Sequence, residues 1–504
     1  MRKHDQSHVA NLLLRTEARV AIGTGHVMRC LALAQAWEDA GGRAIFAMAQ
    51  ATPAIEERLR SEAFEVARVG AQVGTVADAE ETAELAHRRS ASWVVVDGYE
   101  FGAEYQVSLK NRGMKVLFID DNGHAGHYSA DLVLNQNAYA REELYPNREL
   151  TTKLMLGPRF ALLRRDFTAW RGWKREIPLV ARKVLVTMGG SDPDNVTQRV
   201  VETILSERDF DMTIVIGGSN PHLAKLREFA GDCSPVRLVE NAANMPELIA
   251  NADLAVAGAG TTSWEMCFLG LPALLIVLAD NQQRIADELG KRGIALNLGG
   301  ASDIAPSMIG AQLRSIADSP AIRQEMSERG RALVDGVGAE RVVCALKTDS
   351  LSIRPAQDED CKLLWEWAND PVVRASAFSS QMIRWDEHVE WFRGKLNNWN
   401  CRILVCLDAS AVPVGQIRFE KHGVSDADLD ITVDGRLRGL GFGGRLISLG
   451  ANWAFEEWGL TRLNAFVKPE NVASAKAFER AGFESMETVI VKGQTAIHYV
   501  RTAK

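Results

Sequence analysis

Ile22-Gly23-Thr24-Gly25-His26 sets a histidine directly behind two glycines. The stretch follows an apolar segment, Asn11 to Arg15, and opens a helical pattern, Val27 to Trp37. A strand, a glycine turn and a helix start are laid end to end. Glycine permits the tight turn and lets a ligand approach the backbone. The amides of the first helical turn, with the positive end of the helix dipole, favour an anion there. A histidine in that position is biased towards neutral imidazole, the form a base needs at neutral pH. The other reading is a nucleotide-fold turn with an incidental histidine. A second such stretch is Arg438-Gly439-Leu440-Gly441-Phe442-Gly443, with the spacing R-x-x-G-x-G between a strand pattern and a helix pattern. Its successive amides would cradle a pyrophosphate.

The elements that must position these residues fall into three blocks. From residue 11 to about 165, strand and helix patterns alternate. Candidate strands are Asn11–Glu17, Arg43–Ala49, Glu65–Val69, Trp93–Gly98, Lys115–Asp120 and Asp131–Asn135, with helices such as Pro53–Ala63, Glu80–Arg89 and Ala103–Arg112 between them. Strands rich in Val, Leu and Ile separated by helices imply a buried parallel sheet, whose ligands bind at the carboxyl ends of the strands. A basic, tryptophan-containing stretch, Arg164 to Arg182, reads as a connector. The same grammar then restarts, with glycine turns at 189–190, 217–218 and 258–260, each at a strand end. Thr348-Asp349-Ser350 marks a polar break. Beyond it, hairpins followed by strand, loop and helix form an α+β block of their own. The expected domains are residues 1–165, 166–347 and 351–504: two Rossmann-like domains facing each other across a cleft, a GT-B arrangement, and a separate C-terminal domain.

Composition narrows the class. The 504 residues are 46% apolar with a net charge of −7 and no long basic run, which argues against a nucleic-acid or anionic-membrane partner. Seven scattered cysteines without a C-x-x-C pair fit reduced cytoplasmic thiols better than a disulfide framework or zinc site. No apolar run approaches the length of a membrane span, and the polar N-terminus lacks a signal-peptide core.

With Asn471, Phe478, Glu479 and Gly482-Phe483 about thirty residues further on, the Arg438–Gly443 loop resembles the GNAT acetyltransferase superfamily across residues 351–504. The family's stretch from an asparagine to an aromatic residue matches Asn471 to Phe478. The resemblance implies acetyl-CoA as cosubstrate, held by Val433, Arg438, Gly439, Gly441, Phe442, Gly443, Asn471 and Phe478. Many members carry a tyrosine acid where this chain has Phe478, which cannot donate a proton. Asp430 is a candidate base, but a solvated carboxylate on a strand face is the commoner reading.

Gly23-x-Gly25-His26-x-x-Arg29-Cys30, Gly189-Gly190-Ser191-Asp192-Pro193 and Gly258-Ala259-Gly260-Thr261-Thr262-Ser263-Trp264-Glu265 together resemble the UDP-sugar hydrolases of pseudaminic acid biosynthesis, relatives of the MurG-type glycosyltransferases. The resemblance implies that His26 activates water for inverting attack at the anomeric carbon and that UDP leaves onto the 258–262 turn. It further implies substrate contacts from Arg15, Gly25, Tyr99, Gly190, Ser191, Gly260, Thr261, Thr262, Glu265, Asn281 and Gln282, with no metal. Glu265 falls where such folds place a carboxylate on the nucleotide ribose, or else on an exposed helix face. Asn281 reads as a sugar ligand or a helix cap, and Tyr99 as a substrate contact or a packed aromatic. Asp120 and Asp121 beside His124 and His127 invite a metal, but fit a solvated loop better. Trp365 and Trp367 read as a sugar pocket or, more commonly, as core.

Joined in one chain, the two resemblances imply consecutive steps. The 4-amine of UDP-4-amino-4,6-dideoxy-N-acetyl-β-L-altrosamine is acetylated. The resulting UDP-2,4-diacetamido-2,4,6-trideoxy-β-L-altropyranose is then hydrolysed to UDP and free sugar. The alternatives are a GT-B glycosyltransferase with an appended acyltransferase, and a C-terminal module that binds CoA or nucleotide without turnover.

Overall fold

The computed structural model describes residues 10–18, 24–190, 192–207, 210–218, 220–231, 235–347, 351–409, 411–439 and 441–503. Gly23, Ser191, Leu440 and the polar break at 348–350 lie outside the described residues. Two compact units divide the chain, residues 1–343 and 344–504. Among the described residues no helix is long and apolar enough to cross a membrane.

The first unit holds two parallel sheets. Strands β1 (Asn11–Thr16), β2 (Arg43–Met48), β3 (Glu65–Arg68), β4 (Ala91–Asp97), β5 (Val116–Ile119), β6 (Leu132–Asn135) and β7 (Lys153–Leu156) lie in the order β3-β2-β1-β4-β5-β6-β7. Leu12, Leu13 and Leu14 are fully buried, as expected of a central strand covered by helices on both faces. Each such side chain contributes about 1.5–3 kcal/mol of apolar burial. The strand order reverses between β1 and β4, so a crevice opens beyond their carboxyl ends. The second sheet repeats the plan. Strands β8 (Lys183–Thr187), β9 (Asp211–Ile216), β10 (Val236–Glu240), β11 (Leu254–Gly258), β12 (Ala273–Val277) and β13 (Ala295–Gly300) are ordered β10-β9-β8-β11-β12-β13. Its reversal falls between β8 and β11, whose following turns are the predicted glycine turns. The lobes share one apolar core, in which Tyr139, Leu163 and Phe167 meet Ile249, Trp264 and Leu275. Arg341 also reaches back to donate to the Arg159 carbonyl at 2.7 Å.

The second unit is one mixed sheet. Strands β14 (Ser352–Pro355), β15 (Cys401–Leu407), β16 (Pro413–His422), β17 (Asp426–Val433), β18 (Arg462–Val467), β19 (Glu484–Val491) and β20 (Gln494–Thr502) are ordered β14-β15-β16-β17-β18-β20-β19. All neighbours are antiparallel except β17 and β18. Those two pair only from Asp426 to Asp428 against Arg462 to Asn464, then part.

The α/β reading, two Rossmann-like lobes followed by an α+β domain, matches the observed architecture. Several boundaries differ. The helix expected from Glu80 begins at Val76, because the Thr75 side chain accepts from the Asp78 amide and caps it there. The helix expected after the Arg438–Gly443 stretch begins within it, at Phe442, directly behind Gly441 at φ +79°. Short or edge elements went unread: β7, β13, β19, β20 and the helix Met245–Asn251. The Arg164–Arg182 connector contains a 3-10 helix, Arg165–Trp170, whose Phe167 belongs to the shared core.

Candidate active sites

The cleft between the two lobes encloses about 1170 Å³ and is lined by the predicted glycine turns together with His26, Tyr99, Glu265 and Asn281. His26 is the second residue of the helix Gly25–Asp39 and is 7% exposed. Its Nδ1 lies 2.6 Å from Asp97 Oδ1, at the end of β4. Asp97 is fully buried and also accepts two hydrogen bonds from Arg29, both at 2.7 Å. Arg29 bridges onward to Asp121 at 2.8 and 2.9 Å. Burial opposes charge on Asp97, but Arg29 and His26 outweigh it and hold the carboxyl well below the usual range. An ionised Asp97 accepts the Nδ1 proton, leaving the Nε2 lone pair of His26 to take another.

Tyr99 stands edge-on to His26, ring centres 4.9 Å apart. Its hydroxyl accepts a 3.1 Å hydrogen bond from Asn281 Nδ2, at the start of the helix Asp280–Lys291 in the opposite lobe. At the cleft, glycines of each lobe face side chains of the other. A Cβ on Gly190 would lie 2.6 Å from Thr24 Oγ1, and one on Gly25 3.8 Å from Thr261 Oγ1. Gly260 and Thr261 lead into the helix Thr262–Leu269; both line the cleft with Thr262, while the Ser263 and Trp264 amides bond back to the Gly260 and Thr261 carbonyls at 3.0 and 3.1 Å. Gln282 accepts from the Leu278 amide at 3.0 Å and so shapes the neighbouring turn. Glu265 sits 3.3 Å from Arg164 Nη1; burial pushes its carboxyl up while Arg164 draws it down.

Arg15 does not line the cleft, against expectation. It is fully buried, with its guanidinium bonded to Asp78 at 2.9 Å through both Nε and Nη2 and to Glu17 at 2.5 Å. Glu17 in turn accepts from the Ala49 and Gln50 amides. Arg15 therefore braces the end of β1. The acidic-histidine cluster also resolves. Asp120 accepts from the Asn122, Gly123 and His124 amides and from the Tyr128 hydroxyl, organising its own loop. His127 pairs with Glu149 at 2.9 Å, and Asp121 serves Arg29. Among the described residues no three His, Cys, Asp or Glu side chains converge to hold a metal. Asp97 and Arg164 were not singled out from sequence, and Asp121 was read only as part of a metal cluster rather than as the partner of Arg29. Arg29, three residues beyond His26 on one helix face, was the signal available.

In the second unit, Gly439 and Gly441 take left-handed conformations, φ +75° and +79°, and Gly441 caps the helix Phe442–Glu456. The first-turn amides of that helix are the groups free to meet an anion. Other residues expected to hold the cosubstrate also carry structural contacts. Arg438 donates to the Val433 carbonyl at 3.1 Å and to Asp370 at 2.7 Å, tying the loop to the helix Pro371–Ser376. A Cβ on Gly443 would lie 3.3 Å from Ala477, so this glycine lets two helices meet. Asn471 caps the helix Val472–Arg480 by accepting from the Ser474 amide. Phe442 and Phe478 are 3% exposed core residues, Phe478 packing on Phe483 and Tyr499. Trp367 is core and donates to Asp434, and Trp365 packs edge-on to Trp385. Asp430 is paired with Arg418 at 2.7 Å.

Residues 184–337 match the family described as glycosyltransferase family 28 C-terminal domain, and residues 350–484 match the acetyltransferase (GNAT) domain. The chain is 22% identical to an uncharacterized protein of Methanocaldococcus jannaschii over 479 residues, covering 93% of this chain and 96% of that one. It is 27% identical over 235 residues to the spore coat polysaccharide biosynthesis protein SpsG of Bacillus subtilis, covering 46% of this chain and 68% of SpsG. It is 25% identical over 284 residues to the UDP-2,4-diacetamido-2,4,6-trideoxy-beta-L-altropyranose hydrolase of Campylobacter jejuni, covering 56% of this chain and 97% of the hydrolase. Among solved structures, the aminoglycoside acetyltransferase AAC(6')-Ib is 18% identical with a TM-score of 0.28, covering 31% of this chain and 94% of its own. The chain thus joins a two-lobed body, whose second lobe is of the glycosyltransferase family 28 type, to a C-terminal GNAT acetyltransferase domain.

Proposed function

We propose that the chain is a bifunctional sugar-nucleotide enzyme. Its second unit transfers acetyl from acetyl-CoA to the 4-amine of UDP-4-amino-4,6-dideoxy-N-acetyl-β-L-altrosamine. Its first unit hydrolyses the product, UDP-2,4-diacetamido-2,4,6-trideoxy-β-L-altropyranose. The observation that carries the reading is the Asp97-oriented imidazole of His26, facing the glycine turns of the opposite lobe across one cleft.

In the hydrolysis, His26 Nε2 takes a proton from water as the oxygen bonds C1 of the sugar. The bond from C1 to the diphosphate oxygen breaks on the opposite side, so configuration inverts. Asp97 holds the ring and balances the imidazolium that forms. The leaving diphosphate meets preorganised amides at the start of the helix Thr262–Leu269. Glu265 is placed to accept from a ribose hydroxyl. The similarity to the Campylobacter hydrolase supports water as the acceptor of C1. The family 28 match supports the alternative, transfer to another hydroxyl.

The test is mass spectrometry of products from the UDP-4-amino sugar, acetyl-CoA and the full chain, with no other acceptor. UDP and free diacetamido sugar are expected. An acetylated nucleotide that stays intact until an acceptor is added would replace hydrolysis by transfer. His26→Ala and His26→Asn should abolish UDP release while acetyl transfer continues. Retained UDP release in a folded variant would remove His26 from the mechanism.

A further inference from the structure

We propose that His498 is the general base of the acetyl-transfer site, a role that rests on the acetyltransferase reading of the second unit. The inference begins at the fork between β17 and β18. Asn464 is the last residue of β18 paired to β17. Its Nδ2 donates to the Ala427 carbonyl at 3.4 Å, which turns its Oδ1 towards His498 Nε2, 3.0 Å away. An amide oxygen only accepts, so Nε2 carries the ring proton and the basic lone pair is on Nδ1. No hydrogen bond to Nδ1 is present among the described residues. Phe466, opposite His498 in the ladder, stacks on the imidazole with centres 4.9 Å apart and planes 16° from parallel. Hydrogen bond and stack together fix both the ring plane and the tautomer.

The fork is where the chemistry must fall. Beyond Asp428 and Asn464 the facing edges of β17 and β18 have no ladder partners in each other. An extended, amide-bearing chain can add to such an edge. The loop with left-handed Gly439 and Gly441 follows the end of β17. A cosubstrate with its diphosphate on that loop lays its arm between the parting strands and brings its thioester towards the fork.

The competing groups are engaged. Asp430 is paired with Arg418, and Asp428 lies 2.7 Å from His422. Arg374 adds positive charge near Asp430. Glu487 lies in the irregular stretch of β19 beside His498, but is exposed to solvent.

At neutral pH the acceptor is an ammonium ion. His498 Nδ1 removes one proton, and the freed nitrogen lone pair bonds the thioester carbon. The carbon–sulfur bond then breaks with its electron pair on sulfur, and the second proton lost from nitrogen converts the thiolate to thiol. This disposes of the acid that Phe478 cannot supply. The imidazolium returns its proton to solvent.

The experiment compares the full chain with its His498→Gln variant. It measures thiol release from acetyl-CoA with the UDP-4-amino sugar between pH 6 and 9.5, and CoA affinity by calorimetry. We expect kcat/KM to fall about 10²–10³-fold at pH 7, CoA affinity to stay within twofold, and the deficit to shrink as pH rises and the amine deprotonates by itself. Wild-type rates at pH 7, or a deficit constant across pH, would overturn the role. Should the variant not fold, nitrogen-15 shifts of His498 in the unaltered protein decide: an Nε2-protonated ring is required, and an Nδ1-protonated ring refutes it. A wild-type chain that binds CoA but acetylates no amino sugar would instead remove the acetyltransferase reading beneath it.

Discussion

Replacing Asp97 by asparagine keeps the shape of the side chain and removes its charge. In the folded protein that carboxylate accepts from His26 at 2.6 Å and twice from Arg29 at 2.7 Å, with no exposure to water. Arg29 keeps Asp121, so the variant does not strand a buried cation. The stability cost should fall at the low end for a broken buried pair, about 3 kcal/mol. In a unit of this size that lowers the melting midpoint by about 5–10 °C and leaves the protein folded at 25 °C. The catalytic cost is larger. An asparagine amide can present its NH2 to Nδ1, which then becomes the acceptor and moves the ring proton to Nε2, the atom that must be basic. UDP release should fall about 10²–10⁴-fold, equivalent to about 3–5 kcal/mol of barrier. Acetyl transfer, carried by the other unit, should not change. Because Arg29 and His26 hold the Asp97 carboxyl well below its ordinary value of 3.8, its contribution to stability is fully present above about pH 4. That contribution is lost only as pH falls towards the lowered value. The assay is UDP release at 25 °C on protein shown to be folded by circular dichroism. A folded Asp97→Asn enzyme within threefold of the wild-type kcat would refute the orienting role.

Other perturbations probe separate parts of the molecule. Gly190→Val places methyl groups against Thr24, where even a Cβ would be 2.6 Å from Oγ1, so the lobes must part; the KM for the UDP-sugar should rise at least tenfold, and an unchanged KM would show that this approach is not needed. Gly441→Val forces a branched residue to φ +79° ahead of the helix Phe442–Glu456, so on the proposed function the KM for acetyl-CoA should rise while hydrolysis is spared; an equal loss in both activities would mean that the units are not independent. Burial disfavours a charged His124, but Asp120 outweighs it and raises its pKa above 6.5. The stabilisation is therefore full below about pH 6.5 and is lost as pH rises through the raised value. The melting midpoint of the first unit should decline over that rise in the wild type and less in His124→Gln, and identical pH profiles would dismiss the pair.

Some of this was written in local pattern. The start of the helix Gly25–Asp39 was legible because glycine, histidine and an apolar helix face are neighbours in the chain. The Arg438–Gly443 stretch was legible as a loop between a strand and a helix, and the left-handed Gly439 and Gly441 are what glycine tolerates there. The Val76 helix start was missed although its cap, Thr75, stood in the sequence. Strands β19 and β20 were missed because an edge hairpin with one exposed side carries a weak alternation. Arg15 was misread because its position beside the turn says nothing about Asp78, which lies 63 residues away and claims its guanidinium.

Residue type and short-range spacing by themselves determined the three-block plan, the glycine-led start of the helix Phe442–Glu456, and the histidine in the first turn of the helix Gly25–Asp39. Periodicity and turn chemistry are properties of neighbouring residues, so a linear reading reaches them. Only the tertiary structure decided which partners those residues meet. Asp97 orients His26 because β1 and β4 are adjacent in the sheet, with Thr16 opposite Asp97, and Asp121 joins them from beyond the end of β5. Phe466 and Asn464 frame His498 because β18 and β20 pair in one antiparallel register. A tautomer depends on what faces each ring nitrogen, and strand order and register bring together groups that lie 34 and 71 residues apart in the chain.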